Sequence, residues 1–567
     1  MSSDESRGAR SKGANAKDSG APAAKQREGA ISFIAQSILG GRHDVIALKH
    51  EASRKFSLSS FIKNPEILAA IPKAKLTPEV RKILLKKPAK TLSGVTPVAV
   101  MIRPEGSCGH KCIYCPAPGL AAKSYTGYEP AARRARQYGF DPYLQASSRV
   151  KQLEEGGHPT DKCEVIIMGG TFLQTDRSYR ESFIKGVYDG LNGFCSENLE
   201  AAKEANENGK LHRVVGLTLE TRPDVCIPYV DEMLSYGATR VELGVQHADD
   251  KIYRMINRGH SVQDVVDSTR ELRNAAFKVL YHLMPGLPGS DPKKDVSAIK
   301  SLFQDSRFRP DMLKIYPTLV IAGTELERWF KEGKYEPYTT EEAADTIAEA
   351  YRYIPKYVRV MRIQRDIPLQ KIEKGVAKSN LREFVEARLK EKGIVPLEIR
   401  SREIGLRGGA ELSDFSMKRF DYDAGEGKEI FLSYENQAGR RAPTESSGWF
   451  AHSAVNSQQV GNEEGLIAGF TRLRFPPASL RKEIDAETAL IRELHVYGSE
   501  VPISASGRVQ HRGIGAKLLK EAEEIAREFG KTKMIVISGV GVREYYRKHG
   551  YGLIGPYMGK ELRSRMQ

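Results

Sequence analysis

Cysteine is scarce in this chain: 567 residues contain six, Cys108, Cys112, Cys115, Cys163, Cys195 and Cys226. So few thiols exclude a disulfide-braced scaffold at this length. Long apolar runs are missing too, since none reaches the ~18 residues that span a bilayer. The opening stretch MSSDESRGARSKGANAKDSGAPAAK has no apolar core of the kind a secretory signal needs. Acidic residues are outnumbered, 72 Asp and Glu against 88 Lys and Arg, for a formal net charge of +16. These shortages predict a cytoplasmic protein that makes no use of a membrane and favours a polyanionic partner, because phosphate neutralisation dominates affinity for nucleic acids.

What is present suffices for several cores. The hydrophobic fraction is 40%, and at about 150 residues per domain the length predicts three or four units. Residues 1–28 are Ser, Gly, Ala and charge, and read as a disordered tail. Residues 29–92 read as a basic helical segment, in which residues 71–90 hold seven Lys or Arg and one Glu. From 93 to 390, apolar β-rich runs such as PVAVMIRP, EVIIMGG, RVVGLTL, TRVELGVQ, KVLYHLMPG, DMLKIYP and VRVMRIQ alternate with helical stretches. That alternation predicts parallel βαβ units and an α/β partial barrel, with its site at the C-terminal strand ends. Residues 391–427 read as a linker. From 428 to 567, KEIFLSYEN, GLIAGFTRLRF and ALIRELHVYG, then a long helix and further strands, predict an α+β domain. No internal repeat is visible.

Half of the cysteines fall in one motif, Cys108-Gly-His-Lys-Cys112-Ile-Tyr-Cys115, just after the first strand run. Three thiolates on one loop can hold three irons of a 4Fe–4S cluster and leave the fourth open to chelate S-adenosylmethionine. A zinc knuckle with His110 as fourth ligand is the alternative, disfavoured by the spacing and by the place of the motif in a βα array. Cys163, Cys195 and Cys226 are isolated and read as ordinary buried thiols. Polar residues recur at successive strand ends: Gly169 and Gly170 in MGGT, Glu220 and Arg222 in TLETRPD, then Gln246, Arg258, His260 and His282. Glycines at the second strand end would let the backbone approach a bound amino-acid moiety.

A second motif, Gln510-His-Arg512-Gly513-Ile514-Gly515, opens a helix whose Leu518, Leu519, Ala522, Ile525 and Phe529 share one face. Two glycines there let backbone N–H groups point into a cleft at a helix N-terminus, which suits a pyrophosphate. QxxGxG in this context looks like the CoA loop of the Gcn5-related acetyltransferase fold. Glu493, Leu494, His495 and Val496 form a β-run before it, where a strand edge could pair with pantetheine amides; Tyr545 and Tyr546 stand where such folds carry a catalytic or thiol-facing tyrosine.

Both motifs in one chain, together with strings such as SYTGYEP (124–130), IIMGGTF (166–172), LKIYPTLV (313–320), QRDIP (364–368), RELHVYG (492–498) and ISGVG (537–541), resemble the Elongator catalytic-subunit family from about residue 30 to 562. The resemblance implies a radical S-adenosylmethionine barrel followed by an acetyltransferase domain. It implies a tRNA-modifying enzyme in which a radical taken from the acetyl methyl of acetyl-CoA adds to C5 of the wobble uridine, and thioester hydrolysis leaves 5-carboxymethyluridine. By resemblance Cys108, Cys112 and Cys115 hold the cluster. Lys162, on the loop before the second strand, contacts acetyl-CoA, as do Glu493, Leu494, His495, Val496, Ile514, Gly515, Ala516, Lys517 and Tyr546. The first two cysteines stand closer than in many relatives, and residues 395–405 (VPLEIRSREIG) lack cysteines that some relatives carry, so no structural metal is expected there. A protein lysine or histone acetyltransferase with a structural iron–sulfur cluster is the competing function, and a non-catalytic tRNA-binding subunit the third. The expected partners are the anticodon stem-loop of tRNA, and either a second copy or Elongator-like subunits. Residues 71–90 and 123–151, the latter with Lys123, Arg133, Arg134, Arg136, Arg149 and Lys151 among Tyr125, Tyr128, Tyr138, Phe140 and Tyr143, are expected to form one phosphate-binding surface.

Overall fold

Four helices carry the apolar residues of the N-terminal region: Gly20–Leu39, Val45–Lys55, Asn64–Ala70 and Pro78–Leu84. The computed structural model describes residues 20–85, 91, 94–105, 108–116, 119–407, 412–436, 465–477, 481–497 and 513–562. The chain divides into two units, Met1–Pro88 with Lys151–His158, and Ala89–Val150 with Pro159–Gln567. In the first, Asp44 accepts from the Ala47 N–H, and Thr77, followed by Pro78, accepts from Val80; both are N-caps that satisfy otherwise orphaned donors. Ala30, Ile34, Leu48, Ala52, Ile67 and Leu84 are buried together. A Cβ on Gly29 would meet the Phe56 ring at 2.9 Å, so a glycine is what lets these two stretches close. The first helix begins at Gly20, inside the stretch read as tail. Alanine-rich sequence there has the propensity to extend a helix whose later turns are buried.

The second unit holds two seven-stranded sheets. In the first, β1 (Thr96–Met101), β2 (Lys162–Met168), β3 (Arg213–Thr221), β4 (Arg240–Gln246), β5 (Lys278–Leu283), β6 (Met312–Ile315) and β8 (Arg359–Ile363) pair in that order, every pair parallel. Helices such as Val262–Asn274, with a Ser261–Asp264 capping box, connect them. This is the parallel half-barrel the alternation predicts. A two-stranded ribbon, β7 (Val320–Ile321) with β9 (Ile372–Lys374), stands apart. On β2 the burial alternates: Cys163, Val165 and Ile167 are buried, while Lys162, Glu164, Ile166 and Met168 are half-buried.

The second sheet runs β10 (Phe415–Ala424), β11 (Gly427–Asn436), β12 (Ile467–Phe475), β13 (Thr488–Val496), β14 (Lys533–Val536), β16 (Tyr557–Glu561) and β15 (Gly552–Ile554). β10 lies within the stretch read as linker. It pairs antiparallel with β11 along its whole length, from Phe415↔Asn436 to Ala424↔Gly427. Its charged, alternating sequence reflects an edge strand with much of its surface in water.

The two sheets meet at a seam of buried charge. Asp311, just before β6, accepts from Arg492 of β13 at 2.6 and 2.8 Å and lies 3.3 Å from Arg273. Glu429 of β11 pairs with Arg273 at 2.9 Å and with Arg474 and Arg492 at 3.0 Å, and all these side chains are 0% exposed. Burial would raise the Asp311 carboxyl, but Arg273, Arg492 and Arg472 overcome it and hold it far below the usual range. Close backbone approach adds to the seam: a Cβ on Gly539 would meet Val215 O at 2.2 Å, and one on Gly541 the Arg213 Cβ at 2.5 Å.

Candidate active site

The strands of the half-barrel deliver their C-terminal ends to one cavity of about 350 Å³, lined among others by Cys108, Cys112, Cys115, Met168, Gly170, Glu220 and Arg258. The cysteine loop is tied in place from several sides. Lys123 Nζ donates to His110 O at 2.6 Å and Cys108 O at 3.3 Å. Arg258, fully buried, reaches Cys112 Sγ at 3.6 Å. Burial opposes the Arg258 charge, yet Tyr114 and Cys112 keep it firmly protonated. Burial, then the neighbouring Cys112, pushes the Cys115 thiol up to about 11. Thiols so crowded ionise together only against a cationic partner.

That partner fits an iron–sulfur cluster better than a single zinc ion. His110 lies 3.5 Å from Asp224, and its ring fills the space over Gly259, where a Cβ would meet it at 1.9 Å. Among the described residues, the trio of metal-capable side chains whose ligand atoms all fall within 4.8 Å is Glu220, Glu242 and His282, not the cysteines. The thiols are therefore spread wider than the tetrahedron around one zinc. Buried Thr171 Oγ1, Thr221 Oγ1 and Arg222 Nη1 have no protein partner, as a cavity built for a polar ligand requires.

Some predicted residues have another use. Gly169, with φ +126°, has no room for a side chain because a Cβ would meet Ile102 at 2.6 Å; next to Gly170 that space is open. The Gly169 N–H donates to Glu220 Oε2 at 3.1 Å, and Tyr125 donates to the same oxygen at 2.7 Å. Arg222 pairs with Asp224 at 3.0 and 3.1 Å and donates to Arg258 O. Beneath them, on the cavity floor, stand residues the sequence reading passed over, Glu242 and Lys314, together with His282. Glu242 accepts from His282 Nε2 at 2.8 Å and from Lys314 on one oxygen. The ammonium of Lys314 already supplies the cation that the carboxylates would otherwise ask of a metal. A charge inside an apolar strand run was the available signal.

None of the described residues expected to contact acetyl-CoA lines this cavity. Lys162 is the first residue of β2 rather than a loop residue, because parallel pairing with Arg213 extends the strand to it. In the second sheet, β13 pairs with β14 only from Thr488 to Ile491. Glu493, Leu494, His495 and Val496 pair on the other side, with Arg472, Thr471, Phe470 and Gly469 of β12. Their second edge is left splayed from β14, which suits an amide-bearing ligand. The Glu493 carboxylate is held by Arg472 at 2.8 Å, and its carbonyl accepts from the Thr471 hydroxyl at 2.8 Å.

Gly513 caps the helix Ile514–Glu528 with φ +77°, a left-handed conformation that favours glycine. A Cβ on Gly515 would meet Tyr545 Oη at 2.7 Å, so that hydroxyl stands at the helix N-terminus, whereas Tyr546 is buried against Tyr551. Burial pushes Tyr545 up to about 12. Ala516 is half-buried, and Lys517 extends over the Tyr434 ring at 5.6 Å. Gln510 and Arg512 lie outside the described residues. Cys195 is exposed, not buried, because it lies just beyond the Gly193 cap of the helix Arg177–Asn192; Cys163 and Cys226 are buried.

Residues 30–92 match the ELP3 N-terminal domain, 103–300 the radical SAM superfamily, 310–391 the radical SAM C-terminal domain and 428–551 the acetyltransferase (GNAT) family. The chain is 47% identical over 506 residues to a tRNA uridine(34) acetyltransferase of Methanocaldococcus jannaschii, covering 86% of this chain and 88% of that one. It is 39% identical over 542 residues to Elongator complex protein 3 of Homo sapiens, covering 92% and 93%. The solved structure of Methanocaldococcus infernus Elp3 with an N-terminal deletion matches at a TM-score of 0.69 and 43% identity, over 83% of this chain and 100% of that one. At this identity over most of both chains, the chain belongs to the family of Elongator complex protein 3 and the tRNA uridine(34) acetyltransferases.

Proposed function

We propose that the enzyme installs a carboxymethyl group at C5 of the wobble uridine of tRNA, drawing the two carbons from acetyl-CoA. The observation that carries this is that one unit holds both the cysteine-lined cavity and the splayed strand edge of β13. Cys108, Cys112 and Cys115 would hold the cluster, and the cavity beside Gly170, Glu220 and Arg222 would take S-adenosylmethionine. Bound together, these groups would supply a primary carbon radical able to take hydrogen from the acetyl methyl group. Arg258 fixes Cys112, Lys123 fixes the loop backbone, and Tyr125 with Gly169 orients the Glu220 carboxylate. At the acyl end the splayed edge of Glu493, Leu494, His495 and Val496 would pair with the pantetheine arm. The N-terminus of the helix Ile514–Glu528 would take the pyrophosphate, with Lys162 at the start of β2 and the Tyr545 hydroxyl at the helix start.

Affinity for tRNA would come from basic surface in each unit. Lys75 and Arg81 are exposed in the first; Arg133 and Arg136 are exposed in the second. Lys82 and Lys86 have no described side chains. Tyr125 is buried and Lys123 engaged with the cysteine loop, so neither is offered to phosphate or base. Elongator-like subunits or a second copy would extend this surface, and no described helix is long and apolar enough to cross a membrane. Nucleoside mass spectrometry of tRNA incubated anaerobically with enzyme, S-adenosylmethionine, acetyl-CoA and reductant tests the reaction: 5-carboxymethyluridine is expected. Acetyl transfer to a protein lysine without S-adenosylmethionine, and no modified uridine, would favour the lysine acetyltransferase instead.

A further inference from the structure

The floor of the cavity holds a carboxylate–histidine pair with one nitrogen left over. Glu242, His282 and Lys314 stand on neighbouring strands β4, β5 and β6, with His282 directly in register with Lys314. All three line the same cavity as the cluster cysteines. Glu242 is 0% exposed, and Lys314, His282 and Arg240 together overcome the cost of burial and hold it ionised. An ionised carboxylate only accepts, so the 2.8 Å contact requires His282 Nε2 to carry its hydrogen. In the neutral ring Nδ1 is then a bare lone pair. No hydrogen bond of Nδ1 is found among the described residues, and the His282 side chain keeps 16% of its surface, turned edge-on to Tyr316 at 5.4 Å.

The reaction proposed above needs a group of this kind. When the methylene radical adds to C5 of uridine, a C–C bond forms and the unpaired electron moves to C6. Restoring the C5=C6 double bond requires the C5 hydrogen to leave as a proton and the electron to pass to a one-electron acceptor of the iron–sulfur class. We propose that His282, oriented by Glu242, is the base that takes the C5 proton. This rests on the carboxymethylation reading. Glu220, the other ionisable candidate on this face, has one oxygen engaged by both Tyr125 and Gly169, and an imidazole is ordinarily about two pKa units more basic than a carboxylate. Once protonated, His282 would remain paired with the Glu242 carboxylate, and Lys314 stays bonded to that same oxygen throughout.

The test uses the holoenzyme with tRNA, S-adenosylmethionine, reductant and acetyl-CoA deuterated in its methyl group. Two products are followed: deuterium in 5′-deoxyadenosine, which reports hydrogen abstraction, and carboxymethyluridine, which reports completion. His282→Gln keeps a donor for Glu242 without a base, and His282→Ala opens space for added imidazole. Both variants are expected to retain iron content, S-adenosylmethionine affinity and deuterium transfer, while carboxymethyluridine falls by about 10²–10⁴-fold. Added imidazole should restore part of it in His282→Ala. Undiminished carboxymethyluridine in His282→Gln would overturn the assignment, as would parallel loss of deuterium transfer and product without imidazole rescue, which would make His282 a positioning residue. Wild-type enzyme that transfers deuterium yet forms no carboxymethyluridine would overturn the reaction itself, and the base with it.

Discussion

Two clusters of buried charge, each built around an enclosed carboxylate, sit within one unit and do opposite things. At the seam, Asp311 and Glu429 are enclosed by Arg273, Arg472, Arg474 and Arg492, with no surface left to water. On the cavity floor, Glu242 is equally enclosed, but its partners His282 and Lys314 keep 16% and 12% of their side-chain surface. The seam is a set of pairs sealed from water that holds two sheets together. The floor is an open set with an atom to spare, facing a cavity that also holds the cysteines. Burial and ion pairing alone do not mark function; an unfilled bonding position facing a cavity does.

The largest effect expected on chemistry comes from Cys112→Ser, which should abolish uridine modification and the ~400 nm absorption of the cluster while leaving the melting temperature near wild type. Full modification by a cluster-free variant would end the radical mechanism. Asp311→Asn attacks the enclosed cluster instead. Removing one partner of a buried ionic set costs about 3–5 kcal/mol, read as a drop in the denaturant midpoint; wild-type stability would show the seam to be dispensable. Acid sharpens the same contrast. Asp311 and Glu429 are held below the ordinary carboxylate range when folded. Their contribution is complete above the unfolded value of about 4 and lost as pH falls through the folded values. Stability should therefore decline below pH ~4, and less steeply in Asp311→Asn.

Gly515→Glu should weaken acetyl-CoA binding at least tenfold, or about 1.4 kcal/mol. Its carboxylate would stand at the pyrophosphate's N–H groups, and its Cβ would crowd Tyr545 Oη at 2.7 Å. Wild-type affinity by calorimetry would move the CoA site elsewhere. The smallest effect is expected from reversing Arg133 and Arg136, both on the surface. The log–log salt dependence of tRNA binding should flatten by up to about one unit per lost phosphate contact, with acetyl-CoA affinity unchanged. An unchanged slope would remove these two arginines from the tRNA surface.

The half-barrel was legible because each buried parallel strand is a short apolar run between helical stretches, and the cysteine loop because its spacing is chemical in itself. β10 was not, since an edge strand with alternate residues in water, FSMKRFDYDA, has the composition of a linker. The seam was hidden for a related reason. Arg472 and Arg474 in RLRF and Arg492 in IRELH alternate as the wet face of an antiparallel strand would, and only the half-barrel's arrival buries them. The floor was hidden because Glu242 and Lys314 lie in two distant strand runs, and their meeting depends on strand order.

The enclosed seam also decides how this protein can be divided. A fragment beginning after residue 411 would carry Arg472, Arg474 and Arg492 into water without Asp311, and the remaining half-barrel would expose Asp311 and Arg273 to each other alone. Each piece would lose apolar cover and gain mismatched charge at once. The two halves therefore form one cooperative folding unit despite their separate motifs, and a boundary drawn between their chemistries is not a place where the chain can be cut.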